Sequence, residues 1–308
     1  RSKRFWAREM TLWPRTDAGL ILTFEILLMT AFLTMNAADH TLQGMGVEHY
    51  VMAGAFPVSA HIAQLFHFST LSPSTLIGIE RICWWFHILG ILAFLNYLPY
   101  SKHFHILLAF PNVWYSKLKP KTEMANMPRV TAEVKIMLDP SIPPPTPPAE
   151  PTNGLPPEHF GAKDVFDLTW KNLMDAYTCT ECGRCTSECP ANITGKLLSP
   201  RKIMMDTRDR LEEVGKVIDS KGKWEDDGKS LFSRISEEEL WACTTCNACT
   251  QACPVNIDPV NIILDMRRFL VMEESKARPA LNAMFTTIEN NGAAWAFGPD
   301  QRLKWTEE

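Results

Sequence analysis

Apolar side chains follow three textures along this sequence. Residues 18–38 (AGLILTFEILLMTAFLTMNAA) carry a single charge, Glu25, over about 20 positions. As a helix, such a run crosses about 30 Å of hydrocarbon. Residues 75–98 (TLIGIERICWWFHILGILAFLNYL) form a second such run, with Glu80 and Arg81 near its start and His87 near its middle. The stretch between them, 55–68, is apolar but too short to cross and predicts a re-entrant or interfacial piece. Beyond residue 158 the texture changes, and apolar residues recur at helical spacing among charges. Residues 163–177 read as one helix. Ser199-Pro200 and Asp258-Pro259 each set a capping side chain before a proline at the first helical position, which predicts helices over 200–218 and 259–273. Ser236 with Glu239 forms a capping box that opens 237–242, and 278–290 reads as one more helix. No alternating pattern predicts a strand. The expected fold class is all-α: transmembrane helices followed by a helical extramembrane domain.

Between the two regions, 140–157 holds nine of the 22 prolines and predicts an extended polyproline-type spacer. The domain organisation is therefore a membrane region over 1–120, a linker over 121–157 and a helical domain over 158–308. The chain opens on Arg1, Lys3 and Arg4 rather than Met, a basic cluster just ahead of an apolar run, and further residues are expected before it. The first apolar run is long and lacks a small-residue cleavage site, so it does not read as a cleaved signal. Lys and Arg set the orientation. Five lie in 1–15 and five in 99–130, with none in 39–74. The positive-inside rule then leaves both ends, and the helical domain, on the cytoplasmic side of the inner membrane. Trp6, Trp13, Trp114 and Tyr115 fit an interfacial belt on that side. The formal net charge of −4 shows no nucleic-acid footprint.

Eight of the nine cysteines fall into two groups, unlike the scattered pattern of a small disulfide scaffold. CTECGRCTSECPANIT (179–194) aligns with CTTCNACTQACPVNID (243–258) as an internal repeat. Each copy reads C-x2-C-x2-C-x3-C-P. Three thiols within seven residues wrap one face of a cubane, and in two-cluster ferredoxins the fourth Cys crosses to the other cluster. One [4Fe–4S] cluster is then expected on Cys179, Cys182, Cys185 and Cys253, and the other on Cys243, Cys246, Cys249 and Cys189. Soft thiolates select iron–sulfur chemistry or zinc. Structural zinc normally uses paired C-x2-C elements far apart, which favours iron–sulfur.

Seven of the eight histidines lie between residues 40 and 105. Histidine within a bilayer usually marks function. If 87–105 were continuous helix, His87 and His105 would share one face about 27 Å apart, a separation suited to two stacked haems; Pro99 is positioned to kink it. Their bland alternative is a hydrogen bond to a neighbouring helix. His103 reads as an interfacial polar residue. His40 and His49 read as loop residues or quinone contacts, and His61 and His67 as quinone-site residues or other haem ligands. Glu25 and the Glu80–Arg81 pair are expected to face a bundle interior. Cys83, Arg184 and Trp241 read first as packing residues, and Trp84 and Trp85 as lipid- or haem-facing bulk.

HILGILAFLNYLPYSKHFHI (87–106) resembles the last haem-bearing helix of the nitrate reductase γ-subunit-like cytochrome b family. That resemblance implies His87 and His105 as axial ligands to b-type haem iron, with the opposite ligands coming from an upstream helix. The 53 residues enclosed between Cys189 and Cys243 resemble the α-helical ferredoxin of the succinate dehydrogenase iron–sulfur subunit and of the heterodisulfide reductase C-subunit. The whole layout resembles membrane iron–sulfur oxidoreductases related to heterodisulfide reductase. ENNGAAWAFGPDQRLKW (289–305) is similar to that family's ending, which leads toward a cysteine-rich domain with Cys-Cys-Gly motifs. No Cys-Cys-Gly occurs here, so the resemblance implies a separate partner of that kind, or electron-transfer flavoprotein.

The expected function is a membrane electron-transfer subunit. Two [4Fe–4S] clusters and b-type haem would link a cytoplasmic donor or acceptor to quinone in the lipid bilayer. No nucleophile, general base or nucleotide motif is visible, so substrate chemistry is expected on a partner chain. A haem-free membrane-anchored ferredoxin and a zinc-binding membrane adaptor are the alternatives.

Overall fold

The computed structural model describes residues 6–120, 123–143 and 159–307. The basic residues Arg1, Lys3 and Arg4 and most of the Pro-rich spacer lie outside the described residues. Among the described residues there are helices and turns but no strand. The chain divides into two compact units: Arg1–Pro111 with Tyr177–Cys182, and Asn112–Ala176 with Gly183–Glu308.

In the first unit, α1 (Leu12–Gly44) extends well beyond the apolar run at both ends. Thr16, Thr23, Thr30 and Thr41 each donate a hydroxyl hydrogen bond to the carbonyl four residues back, so these polar side chains satisfy themselves within the helix. The short 55–68 stretch forms α2 (Pro57–Leu65) and a 3-10 turn at Phe68–Thr70. Ser72 caps α3 (Pro73–Tyr97), accepting from the Thr75 amide ahead of a proline at the first helical position.

The continuous helix needed to put His87 and His105 on one face is not observed. Pro99 has no amide proton to give, and the chain passes through 3-10 turns at Leu98–Tyr100 and Lys102–Phe104 around an extended Ser101. A separate helix, α4 (His105–Trp114), then starts at His105 itself.

α1 lies along α3. A Cβ at Gly90 would sit 2.5 Å from Leu28 Cδ2, so the glycine permits the close approach. Ala37, Ala38, Leu42, Ala63, Phe68 and Leu76 form a small core where α2 meets the pair. Elsewhere many apolar side chains are exposed, among them Leu22 and Ile26 on α1 and Ile82 and Leu89 on α3.

The second unit holds α5 (Pro128–Leu138), α6 (Trp170–Thr178, whose last residues belong to the first unit), α7 (Arg184–Ser187), α8 (Pro190–Ile193), α9 (Pro200–Lys221), α10 (Glu237–Ala242), α11 (Ala248–Ala252), α12 (Pro259–Met272) and α13 (Pro279–Asn291). The cap-then-proline signals at 199–200 and 258–259 and the box at Ser236 all open helices. The helix expected over 163–177 is shorter. Asp164 and Asp167 cap a 3-10 turn, Leu168 is extended, and α6 begins only at Trp170.

α9 and α12 pack through Ile203, Met204, Ile262, Ile263 and Met266, all buried. Arg210 is fully buried beside them, and its guanidinium donates to Asp164, to Asp227 and to the Lys229 carbonyl. Asp164 and Asp227 thereby tie three separated stretches of this unit to one cation. Gly161 adopts φ +88° where its Cα faces the α12 backbone; a Cβ there would collide with the Asp265 carbonyl and the Phe269 amide.

Candidate metal centre

The two cysteine repeats have the same backbone plan. In the first, α6 ends at Thr178, immediately before Cys179; in the second, α10 ends at Ala242, immediately before Cys243. Left-handed residues then fall at matching places: Glu181 (φ 58°) and Gly183 (φ 73°) in one, Thr245 (φ 55°) and Asn247 (φ 58°) in the other. Glycine and asparagine take this conformation readily, but Glu and the β-branched Thr do so at a cost. Left-handed residues in such turns help aim neighbouring amides into one concavity, the kind of arrangement that receives anions and iron–sulfur clusters. The Thr245 amide donates to Cys243 Sγ at 3.4 Å.

The threonine after the third cysteine of each copy has one job in both. Thr186 bonds the Ser199 hydroxyl at 2.9 Å, and the Thr250 hydroxyl donates to Asp258 Oδ1 at 3.3 Å. Ser199 and Asp258 are the capping residues of α9 and α12. Each cysteine loop is thus fastened to the start of the helix that follows it.

Cys189, Cys243, Cys246 and Cys249 line one small cavity, walled by Pro190, Ala191, Leu198, Pro200, Val260 and Ile263. Cys189 and Cys249 are buried, Cys243 is half-buried and Cys246 is exposed. Burial pushes the Cys249 thiol up to about 12. Cys243 is also raised, by burial first and by the nearby Cys189 and Cys246 thiols, against the opposing pull of the Thr245 amide and Arg267. A bare thiolate is unfavourable in such a site, and a metal supplies the compensating charge. Among the described residues no three His, Cys, Asp or Glu side chains are placed to hold a single metal ion. Four soft thiol donors from two loops make a donor set that fits an iron–sulfur cluster. Of the other four thiols, Cys179 and Cys182 lie in the first unit and Cys185 and Cys253 in the second.

The first cysteine loop carries a buried carboxylate. Lys102 Nζ donates to Glu181 Oε2 at 2.6 Å and to the Pro14 carbonyl at 2.6 Å. The Lys102 amide donates to Asp17 Oδ2 at 3.1 Å, and the Tyr97 hydroxyl to Asp17 Oδ1 at 2.5 Å. Lys102, Asp17 and Glu181 are sites that the sequence pattern did not single out.

His87 Nδ1 lies 2.9 Å from the Leu28 carbonyl, and its ring packs on Phe32 of α1. His105 Nδ1 lies 2.8 Å from the Lys102 carbonyl, beside the His103 ring. In both, the other ring nitrogen is the one left for a metal. The described residues contribute two long apolar helices and no second imidazole against either ring from an upstream helix. A complete haem pocket is therefore not formed by them.

The remaining candidates have local partners. His103 is 3.8 Å from Glu25, His61 bonds the Pro57 carbonyl, and His40 meets Phe56 edge-on. His49 and His67 occupy left-handed turn positions. Glu80 accepts from Tyr50 and pairs with Arg81. Trp84 and Trp85 are exposed, Cys83 is half-buried within α3, and Arg184 is exposed.

Arg267 was also missed. It lies on α12, donates to the Leu240 and Cys243 carbonyls and stacks on Trp241 at 5.0 Å. A signal for it does exist. The repeat runs past the cysteines as P-x-x-I-x-x-D-x-R, with Pro200, Ile203, Asp206 and Arg208 matching Pro259, Ile262, Asp265 and Arg267.

Residues 178–257 match the 4Fe-4S dicluster domain family. The chain is 31% identical to the probable iron-sulfur-binding oxidoreductase FadF of Bacillus subtilis, over 99% of this chain and 43% of that protein. It is 26% identical to the EtfAB:quinone oxidoreductase of Syntrophomonas wolfei, over 95% of this chain and 40% of that protein. A probable membrane-anchored ferredoxin of Chromohalobacter salexigens is 32% identical over 48% of this chain and 24% of its own length. Shorter matches are to the C-subunits of heterodisulfide reductases. The chain thus spans less than half the length of FadF and of the quinone oxidoreductase. It is an iron–sulfur electron-transfer protein related to these oxidoreductases and to the C-subunit ferredoxins.

Proposed function

We propose that this chain carries electrons between a redox partner and membrane quinone, with its cysteine repeats holding two [4Fe–4S] clusters at the edge of a bilayer. Each cluster, when bound, accepts and gives up one electron without bond-making at substrate. The observation that carries the reading is the cavity lined by Cys189 from one repeat and Cys243, Cys246 and Cys249 from the other. By the same crossing rule Cys253 completes the set with Cys179, Cys182 and Cys185. The left-handed loop residues and the Thr–cap bonds shape the loops that carry the thiols, and apolar side chains wall the cavity.

The membrane assignment rests on α1 and α3. They are long and apolar enough to cross, yet only 11% and 6% of their most apolar windows are buried. A core helix of a water-soluble protein hides its apolar face, and these do not. The likeness to a membrane-anchored ferredoxin supports the same placement. The name of the Syntrophomonas relative supports electron-transfer flavoprotein as partner and quinone as the other redox party. A partner with Cys-Cys-Gly motifs is the other expected donor or acceptor. The positive-inside count puts the cysteine domain on the cytoplasmic side. His87 and His105 would hold b-type haem through the nitrogens not bonded to Leu28 and Lys102, opposite ligands from other helices.

A haem-free anchored ferredoxin is the second reading, favoured by the direct packing of His87 on α1. Anaerobic purification of the full chain from membranes tests both. About eight iron and eight acid-labile sulfide per chain, with a reducible cubane EPR signal, are expected for two four-iron clusters. Zinc without sulfide would sink the cluster assignment. A reduced-minus-oxidised spectrum with a b-type α-band selects the first reading, and a flat one selects the second.

A further inference from the structure

We infer that Arg267 is a positioning residue that raises the reduction potential of the cluster held by Cys189, Cys243, Cys246 and Cys249. The inference rests on the ligand assignment proposed above.

Three restraints fix the guanidinium. Nε donates to the Leu240 carbonyl at 3.0 Å, Nη2 reaches both the Leu240 and the Cys243 carbonyls, and the plane lies over the Trp241 ring at 5.0 Å. Arginine is charged at every accessible pH, and its planar fork suits two carbonyls and a ring at once. The side chain is half-buried, so the charge is poorly screened by solvent. It therefore stands as a permanent positive charge against the main chain of the first ligand of the second repeat.

Reduction of a cubane adds one electron, and hence one negative charge, with no bond made or broken. A fixed cation beside the ligand loop favours the reduced form more than the oxidised one. Burial, net charge and hydrogen bonding near the sulfurs are the known determinants of cluster potential. The carboxylates closest in sequence to Cys243, Cys246 and Cys249 are already engaged: Glu239 with Lys202, and Asp258 with Thr250 and the first amides of α12. They do not pair with Arg267.

A purely structural reading would have Arg267 only cap the end of α10. That role is open to any donor. The repeat points further, because an arginine stands nine residues into the helix after each cysteine motif, Arg208 in α9 and Arg267 in α12.

The test is an EPR-monitored redox titration of the full chain with both clusters loaded, comparing the unmodified protein with Arg267→Gln and Arg267→Lys. In Arg267→Gln one of the two reductive waves should move to lower potential, the reduced-to-oxidised ratio at fixed potential falling about tenfold, or about 59 mV for a one-electron couple. The other wave should stay in place. Arg267→Lys keeps the charge but cannot span both carbonyls, and should move the same wave by a smaller amount. Either variant that loads both clusters and titrates like the unmodified chain overturns the inference, so Arg267→Lys decides it if Arg267→Gln fails to load. Absence of iron from the unmodified chain is a separate result: it overturns the ligand assignment, and this inference with it.

Discussion

The ammonium of Lys102 lies 2.6 Å from the carboxylate of Glu181, and both groups are largely withdrawn from solvent. Lys102 follows the turn that ends α3; Glu181 sits between the first two cysteines of the first repeat. Both belong to the same compact unit, so this ion pair joins the end of α3 to the loop carrying Cys179 and Cys182.

Removing the cation should therefore be costly. Lys102→Met leaves Glu181, 2% exposed, without its ammonium, and should destabilise the chain by about 3 kcal/mol. The double variant Lys102→Met with Glu181→Gln should recover part of that loss, since a buried pair removed together costs less than one partner removed alone. Denaturant unfolding of the purified chain, read with retained iron, checks it. A double variant no more stable than Lys102→Met would contradict the pairing.

Arg210 makes a pH prediction with a definite sign. Its hydrogen bond holds the Asp227 carboxyl below the ordinary carboxylate range, against the opposing effect of burial. A depressed folded-state pKa contributes stability above the unfolded value of about 4, and that contribution is lost as pH falls through the folded value. Asp227→Asn should flatten this acid-side loss and lower stability at neutral pH. Arg210→Met should cost more, about 3–5 kcal/mol, because two carboxylates then share a site without their cation. Stability measured across the range from acid to neutral pH distinguishes the variants.

The threonines behind the cysteine loops have a smaller, local effect. Thr250→Val deletes one hydrogen bond to the cap of α12 and should cost about 1 kcal/mol. Because that bond fastens the loop bearing Cys249, cluster loss to an iron chelator should accelerate. Thr186→Val should act likewise on the loop bearing Cys185. Unchanged chelation rates in both variants would remove the fastening role.

Two glycines should respond in opposite directions. Gly161→Ala meets backbone atoms of Asp265 and Phe269 at a left-handed φ and should destabilise by more than about 2 kcal/mol. Gly215→Ala, inside α9 with nothing within 4 Å of the new Cβ, should stabilise by about 0.5–1 kcal/mol. Thermal melts of the two variants decide it.

Much of the helical domain was legible in the sequence. Ser199-Pro200, Ser236-Glu239 and Asp258-Pro259 open helices because capping and a proline's fixed φ act within one turn. The two long apolar runs read as helices for a similar reason, since hydrophobicity and length add along consecutive residues. The cysteine repeat declared its chemistry through spacing alone, thiol reach being set by a few bonds. Local pattern failed where short-range signals competed. The 163–177 periodicity ignored the Asp164–Asp167 box, and the His87-to-His105 spacing presupposed a helix that Pro99 interrupts. The pairing of residues distant along the chain left no mark in the pattern, even where the repeat marks one member, as it does Arg267. Lys102 with Glu181, Arg210 with Asp164, and Arg267 with the Cys243 carbonyl are separated by 79, 46 and 24 residues. A hydrogen bond depends on a distance of about 3 Å, and only packing of whole helices brings such groups that close.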